Sequence, residues 1–526
     1  MRGGGFGHIY LTGFMGAGKT TVGRLLARTW GRPLVDLDQE VARRLGMPVA
    51  EVFARLGEGA FRRAEAEALA RVARRRRPLV VATGGGLPLR EANRRLMRAT
   101  GRIVYLAAEL ETCRRRVGEA GETARPLWRG EEELARLYRE RRAAYADCHL
   151  ALATDHLSPQ EVAARITAEL LGEESFTAEL GGVRHPVVAT GRGPEAAARL
   201  AGGRRVVILC DRNLARLHLE PYRRALGGAE VITFPPGEGS KSLARLGRLY
   251  AALAEVRLAR DELLLALGGG VTTDLGAFVA ATFKRGVPFV LAATSLLACV
   301  DAAIGGKAGV NLPAGKNLVG CFTRPQGVVL DLAALGTLAP RHRLEGVVEA
   351  YKTGLVAASG LARMVEARRE DLLRGELEAL AAVAALSARV KAGVVAGDFR
   401  EAGRRRILNL GHTYGHALEA LSGYRLSHGR AVAAGILVAA ELSRRRGLIV
   451  PALAERIAAT LQPMLPRPRR WPGVAEVWEV MENDKKNQAG RVVFTLLAGE
   501  GRAVWVDDVS PSELAAALEA VRCDHG

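Results

Sequence analysis

Along the first third of the chain, short apolar runs alternate with stretches whose apolar residues recur every three or four positions. His8–Thr12, Pro33–Asp38, Pro78–Thr83 and Arg102–Ala107 have the length and apolar content of buried strands, and Lys19–Trp30 has a helical period. Strands regularly separated by helices predict a parallel sheet built from βαβ units. The helical pattern ending near Leu171 gives way to Gly172–Ser175, and a new run of strands opens at Phe176. A domain boundary is predicted there, dividing the chain into 1–172 and 173–526. Further strands are predicted at Arg205–Cys210, Val231–Phe234, Leu263–Leu267 and Phe289–Ala292, continuing an α/β pattern to about Asp331. Beyond Leu338 come long Ala/Leu/Arg helices, interrupted at Val492–Leu496. The second part is thus expected to hold an α/β subdomain over 173–335 and a mostly α-helical one over 336–526, with a cleft between them.

Charge changes the picture less than its size suggests. The 526 residues carry 76 basic and 56 acidic side chains, a net charge of +20, which invites a nucleic-acid reading. The excess is spread evenly, with 30 basic and 20 acidic residues before position 173, and aromatic residues make up only 5%. That distribution offers neither a basic stripe nor stacking platforms, so no nucleic-acid partner is expected. The six cysteines are far apart and form no CxxC, and no apolar run reaches a membrane-spanning length. Reduced thiols, a cytoplasmic location and no membrane partner are the expectation.

Gly13-Phe-Met-Gly16-Ala17-Gly18-Lys19-Thr20, followed by Thr21, fits G-x-x-x-x-G-K-[ST] between a predicted strand and a predicted helix. Its glycines let backbone N–H groups turn onto a phosphate, Lys19 reaches the terminal phosphates and Thr20 can hold Mg²⁺. Asp36 and Asp38, two apart in a predicted strand, fall on one face, where one can serve Mg²⁺ and the other can orient an acceptor hydroxyl. Gly57–Arg62, Thr83–Gly86, Arg125-Pro-Leu and Arg141 add guanidinium groups and a strand-end glycine turn. Over residues 5 to about 170 the chain resembles shikimate kinase, through GFMGAGKTTVGRLLA, DLDQEVARRLG, GEGAFRRAEAEAL, ATGGGLPL, RPL and LYRERRAAY. The resemblance implies that Asp38, Arg62, Gly85 and Arg141 hold shikimate, with Arg142 the alternative to Arg141. It implies that Thr20 and Asp36 serve magnesium with ATP, and that Arg125 comes from a lid over ATP. Another small-molecule kinase, such as a gluconate kinase, is the rival reading.

Asn409-Leu-Gly-His412-Thr-Tyr-Gly-His416 places two histidines on one helix face, with His428 twelve residues on. With a carboxylate, for which Glu349 is a candidate, they could hold Zn²⁺ or a similar ion; alone, an i, i+4 histidine pair is more often a helix surface. Leu263–Gly268 runs through Gly269 and Gly270 to Asp274, a strand leading into a glycine turn that can approach a pyrophosphate. Asp211 and Asn213 end another strand, and Lys241, Arg285, Asp301, Lys307, Lys316 and Asn317 gather charge suited to a phosphorylated, carboxylated substrate.

This ensemble resembles 3-dehydroquinate synthase over residues 176 to about 515, through PGEGSKS, ALGGGVTTDLGAFVAATFKRGVPF, TSLLACVDAAIGGKAGVNLPAGKNLVGCF, EAYKTG, RRILNLGHTYGHALE, LSHGRAVAAGI and NDKKN. The resemblance implies NAD held by Asp211, Asn213, Glu238, Lys241, Gly269, Gly270, Val271, Thr272, Thr273, Asp274, Thr294, Ser295, Asp301, Lys316 and Thr337. It implies a Zn or Co ion on Glu349, His412 and His428, leaving His416 for substrate. Arg285, Lys307, Asn317, Lys352, Arg405, Asn409 and Lys485, with Lys486 the alternative to Lys485, would hold 3-deoxy-arabino-heptulosonate 7-phosphate, with Lys307, Lys352 and His416 catalytic. The implied architecture is a P-loop kinase with a parallel sheet, a Rossmann-like NAD-binding subdomain and a helical metal-binding subdomain. The implied partners are small molecules, and a homodimer through the second part is compatible with it. A metal-dependent polyol dehydrogenase or another sugar-phosphate cyclase is the rival here.

Overall fold

The computed structural model describes residues 6–118, 131–465, 471–482 and 491–523. The chain divides into two compact units, Met1–Leu171 and Gly172–Gly526. In the first, β1 (His8–Thr12), β2 (Leu34–Asp36), β3 (Val80–Ala82), β4 (Gly101–Ala107) and β5 (Leu150–Ala153) form a parallel sheet in the order β2-β3-β1-β4-β5. Tyr10, Val81 and Ile103 project from these strands into one core layer, against Val41, Phe61, Leu69 and Met97 of the crossover helices. The long helix Val49–Ala73 is broken at Gly57, whose φ of 78° and ψ of 165° are far from helical, so Arg62 and Glu65 leave on a redirected segment.

The second unit begins without a spacer. The helix Pro159–Leu171 ends, Gly172 turns at φ +65°, and β6 (Glu173–Leu180) starts at once, pairing antiparallel with β7 (Val183–Thr190). Gly191 N–H donates to Gly172 O at 3.1 Å, so this glycine is already bonded into the second unit. β6 starts three residues before the predicted Phe176 because its outer positions are polar, which hides an edge strand from a hydrophobicity reading.

β8 (Val206–Asp211), β9 (Glu230–Phe234), β10 (Leu263–Gly268) and β11 (Phe289–Ala293) follow. Next come the hairpin β12 (Lys307–Leu312) with β13 (Gly315–Phe322), then β14 (Gly327–Asp331). The main sheet runs β6-β7-β14-β11-β10-β8-β9 and is parallel except at its β6–β7 end. Helices begin in earnest at Pro340, and a small antiparallel pair, β15 (Phe494–Leu497) with β16 (Ala503–Val506), interrupts them. One described helix, Leu377–Ala396, has the length and apolarity of a membrane span, but 67% of its most apolar window is buried within the unit.

Candidate functional sites

In the first unit the loop after β1 wraps toward the helix Lys19–Thr29. Gly16 sits at φ +79°, and a Cβ there would lie 2.5 Å from the Cys113 carbonyl oxygen, so only glycine fits. Ala17 is buried beneath the loop. Gly18 caps the helix in the left-handed region, and Val22 N–H donates to Gly18 O at 2.9 Å. The N–H groups of Lys19, Thr20 and Thr21 therefore precede the helical ladder, at the helix end that favours an anion. Lys19 Nζ curls back onto the carbonyls of Gly13 and Phe14 at 2.8 and 2.9 Å.

Thr20 Oγ1 donates to Asp36 Oδ2 at 2.8 Å, which joins the two residues expected at magnesium. Asp36 and Asp38 do not share the predicted strand face. β2 ends at Asp36, whose Oδ1 accepts from the N–H groups of Asp38 (3.1 Å) and Gln39 (3.3 Å) and caps the helix Leu37–Leu45. Asp38 stands in the first helical turn, and the cap sets its position.

Asp38 Oδ1 and Glu65 Oε1 both press on Gly84, and the Arg62 guanidinium lies over Gly86, where any Cβ would collide with it. Arg62 pairs with Glu65 at 2.8 Å and Glu58 at 3.0 Å. Arg141 is buried beside Gly85, whose carbonyl accepts from Tyr145 Oη at 2.5 Å; Arg142 is exposed. Burial pushes Glu65 up to about 7, against the pull of Arg62 and with a further push from Asp38. Asp38, Arg62, Gly85 and Arg141 are thus gathered around one glycine turn, with Glu65 as a member that sequence reasoning missed.

In the second unit β8 and β10 are neighbours whose following connections leave toward opposite sides of the sheet, the place where open α/β sheets bind ligands. Asp211 closes β8 and caps the helix Arg212–Ala225, with Oδ1 accepting from Asn213 N–H at 2.9 Å and Leu214 N–H at 3.0 Å. Beyond β10, the helix Gly270–Thr282 makes its first bond from Thr273 N–H to Gly269 O at 3.0 Å, which leaves the N–H groups of Gly270, Val271 and Thr272 for a ligand. The side chains of Thr272, Thr273 and Thr294 are buried, and a Cβ on Gly269 would stand 3.2 Å from Ser295 Oγ. Lys241, only 4% exposed, donates to Asp274 Oδ2 at 2.8 Å and Asn317 Oδ1 at 2.6 Å and lies 3.8 Å from Glu238. Thr337 Oγ1 lies 2.8 Å from His218 Nε2.

The helix Pro340–Ala357 carries Glu349 and Lys352, while His412 and His428 each open a helix, His412–Leu421 and His428–Arg445. Glu349 Oε1 faces His428 Nε2 at 3.2 Å and His412 Nε2 at 3.6 Å, and the donor atoms of this trio lie within 4.8 Å of one another. His416, Glu419 and His428 form a second such group. Lys352 Nζ is 2.5 Å from Glu349 Oε2, and both residues are buried. Burial pushes the Glu349 carboxyl up, but Lys352 and then His428 more than offset it, holding it below the ordinary range.

Among the described residues, four ion pairs join the sheet-bearing half to the helical half: Asp301–Lys391 at 2.6 Å, Lys316–Glu419 at 3.1 Å, Lys307–Glu401 and Glu174–Arg389. Glu401 also accepts from Asn409 Nδ2 at 3.0 Å, and Arg405 is buried with Nη1 on the carbonyls of Gly305 (2.9 Å) and Phe399 (2.7 Å). Lys391, given no role in the sequence reading, is buried and donates to both Asp301 O and Asp301 Oδ1 at 2.6 Å. Burial lowers its pKa, Asp301 opposes and Arg405 assists, leaving it at about 8. Arg285 is exposed at φ +62° in the turn Phe283–Arg285, and no described contact joins it to this cluster. Arg125, Lys485 and Lys486 lie outside the described residues.

Comparison with known proteins fits this division. The shikimate kinase family model matches residues 15–171, and the N- and C-terminal models of 3-dehydroquinate synthase match 231–345 and 346–487. A 3-dehydroquinate synthase of Paracoccus denitrificans is 43% identical over 343 residues, which span 63% of this chain and 93% of that protein. The chain belongs to the shikimate kinase family in its first unit and to the 3-dehydroquinate synthase family in its second. A further synthase, from Symbiobacterium thermophilum, is 40% identical, with 65% of this chain and 99% of that protein covered. Among solved structures, the 2-epi-5-epi-valiolone synthase of Streptomyces hygroscopicus, with NAD⁺ and Zn²⁺ bound, is 26% identical at a TM-score of 0.58, covering 63% of this chain and 94% of that one.

Proposed function

We propose that the chain is a bifunctional enzyme of aromatic amino acid biosynthesis. Its first unit phosphorylates shikimate with ATP, and its second converts 3-deoxy-arabino-heptulosonate 7-phosphate into 3-dehydroquinate and phosphate. The observation that carries this reading is that each unit holds its own constellation of chemistry-bearing residues. A phosphate loop faces a carboxylate–arginine cluster in one, and a carboxylate–histidine trio lies among buried lysines in the other.

In the first unit, Lys19 leaves its two carbonyls for the transferred phosphate, and Thr20 with Asp36 would hold magnesium, which supplies charge neutralisation along the phosphates. Arg62 and Arg141 bind the shikimate carboxylate, and Asp38 orients the attacking hydroxyl and takes its proton. Glu65, beside both Arg62 and Asp38, keeps the guanidinium in place.

In the second unit, one carboxylate and two imidazoles suit zinc or cobalt, which supplies a Lewis acid; NAD at the glycine turn supplies reversible hydride storage. Glu349, His412 and His428 would hold the ion, while the free N–H groups of Gly270–Thr272 would hold the pyrophosphate. Lys307, Arg405 and Asn409 bind the substrate's anionic groups, and His416 carries a proton at its imidazole to or from substrate. Lys352 Nζ, held in a dry environment by Glu349, donates to developing negative charge. Lys391 Nζ holds Asp301 in place through its two hydrogen bonds to that residue.

A single coupled assay tests both halves. Shikimate-dependent ADP formation is expected, together with phosphate release from the heptulosonate phosphate without accumulation of NADH. Lys19→Met should remove only the first activity, and His412→Ala only the second. Steady NADH production would sink the synthase reading, and ATP consumption with gluconate but not shikimate would sink the kinase reading.

A further inference from the structure

Glu419 lies seven residues after His412 on the same helix, two turns along the same face, and is 4% exposed. Its two oxygens are divided. Oε2 is 3.3 Å from His428 Nδ1, and Oε1 accepts from Lys316 Nζ at 3.1 Å. The opposite ring nitrogen of His428, Nε2, is the one 3.2 Å from Glu349 Oε1. An imidazole whose Nδ1–H is given to a carboxylate presents its Nε2 lone pair in a fixed direction and with raised basicity. Lys316 belongs to β13, and its ammonium also stands 4.4 Å from the centre of the Tyr424 ring, just beyond the end of the helix that carries Glu419.

We infer that Glu419 is a positioning residue for the metal site, holding His428 so that Nε2 faces Glu349 and His412, and tying that imidazole to Lys316 of the hairpin. The two overlapping groups of donors then have different roles. A ring nitrogen that donates its hydrogen to Glu419 cannot also ligate, so His428 serves the Glu349 trio, where both histidine Nε2 atoms converge on one oxygen. This inference rests on the proposed metal binding.

The test is the zinc affinity of the full chain, stripped of metal, by competition with a chelating dye, alongside ¹⁵N-histidine spectra of the zinc-loaded protein. Glu419→Ala should weaken zinc binding about 10–100-fold and remove the hydrogen-bonded, downfield and slowly exchanging character of the His428 Nδ1–H signal. Glu419→Gln keeps the shape and an acceptor oxygen and should fall between the two, whereas His412→Ala, which removes a ligand, should be weakest of all. Zinc affinities for both Glu419 variants within about threefold of the unaltered chain would overturn the inference. So would a loss in Glu419→Ala equal to that in His412→Ala, because Glu419 would then be a ligand. If the alanine chain does not fold, Glu419→Gln with zinc affinity within about threefold of the unaltered chain overturns it. An unaltered chain that binds no zinc removes the metal reading itself and this inference with it; loss of the Glu419 effect alone leaves that reading standing.

Discussion

Replacing Lys352 by methionine isolates a buried charge whose compensation can be switched. In the metal-free chain the Lys352 ammonium lies 2.5 Å from Glu349 Oε2, and both side chains are at most 3% exposed. Burial lowers the lysine pKa, yet Glu349 and then Asp301 raise it beyond the ordinary value, so the ammonium stays charged. Methionine fills the same volume but leaves the Glu349 carboxylate without its nearest cation, and breaking a buried pair from one side costs about 3–5 kcal/mol. The entropy of unfolding is about 2.1 cal/mol/K per residue, which for the unit Gly172–Gly526 gives roughly 0.75 kcal/mol/K. The synthase transition should therefore fall by roughly 4–7 °C. Saturating zinc replaces the missing positive charge, so the deficit should shrink to within about 1 °C. Calorimetry of the full chain reads both transitions, with the kinase transition as an internal reference that does not move. An unchanged synthase transition in the metal-free variant, or a deficit that persists with zinc, would refute the reasoning. The first would mean that Glu349 sheds its charge at no cost, the second that the loss is one of packing.

Zinc uptake should also depend on pH. Burial alone would lower the His428 pKa, but hydrogen bonds and charge from Glu349 and Glu419 raise it to about 10 in the metal-free chain. The proton is on the ring below that value and must leave before Nε2 can ligate, so affinity should rise about tenfold per pH unit between roughly pH 7 and 9. A flat profile by chelator competition would contradict this. In the kinase unit, Arg141→Ala should raise the KM for shikimate at least tenfold, whereas Arg142→Ala, at an exposed position, should change it by less than about twofold. Steady-state kinetics with varied shikimate distinguishes the two, and the reverse order would exchange their roles.

The layered architecture was legible because buried parallel strands are short, apolar and separated by helices, as in Leu263–Gly268. Polar or half-exposed strands were not. The β12–β13 hairpin contains Lys307, Asn311, Lys316 and Asn317 and reads as a loop, although it holds two of the four described sheet-side ends of the ion pairs. Asp36 shows how one signal can hide another. Its side chain caps a helix, and D-L-D-Q-E fits that role as well as it fits strand alternation.

Motif residues could be read from type and spacing, but their partners could not. Glu65, Glu401 and Glu419 look like ordinary polar positions on helices or turns, and only the fold brings them against Arg62, Lys307 and His428. Lys391 did carry a signal. It is a lysine near the end of an apolar helix, Leu377–Ala396, in a chain with only nine lysines, and a charged group there needs a partner.

The single glycine between Leu171 and Glu173 has a consequence for how a cell manages these two activities. Every translated chain delivers one kinase unit and one synthase unit, so expression cannot enrich either. Leu171 is buried and Gly172 is hydrogen-bonded into the following unit, so the junction is not an exposed loop of the kind proteases cut. Parity set at synthesis therefore persists. Any imbalance of flux between the two proposed steps has to be corrected through turnover, by substrate supply or inhibition at one site, because protein abundance is common to both.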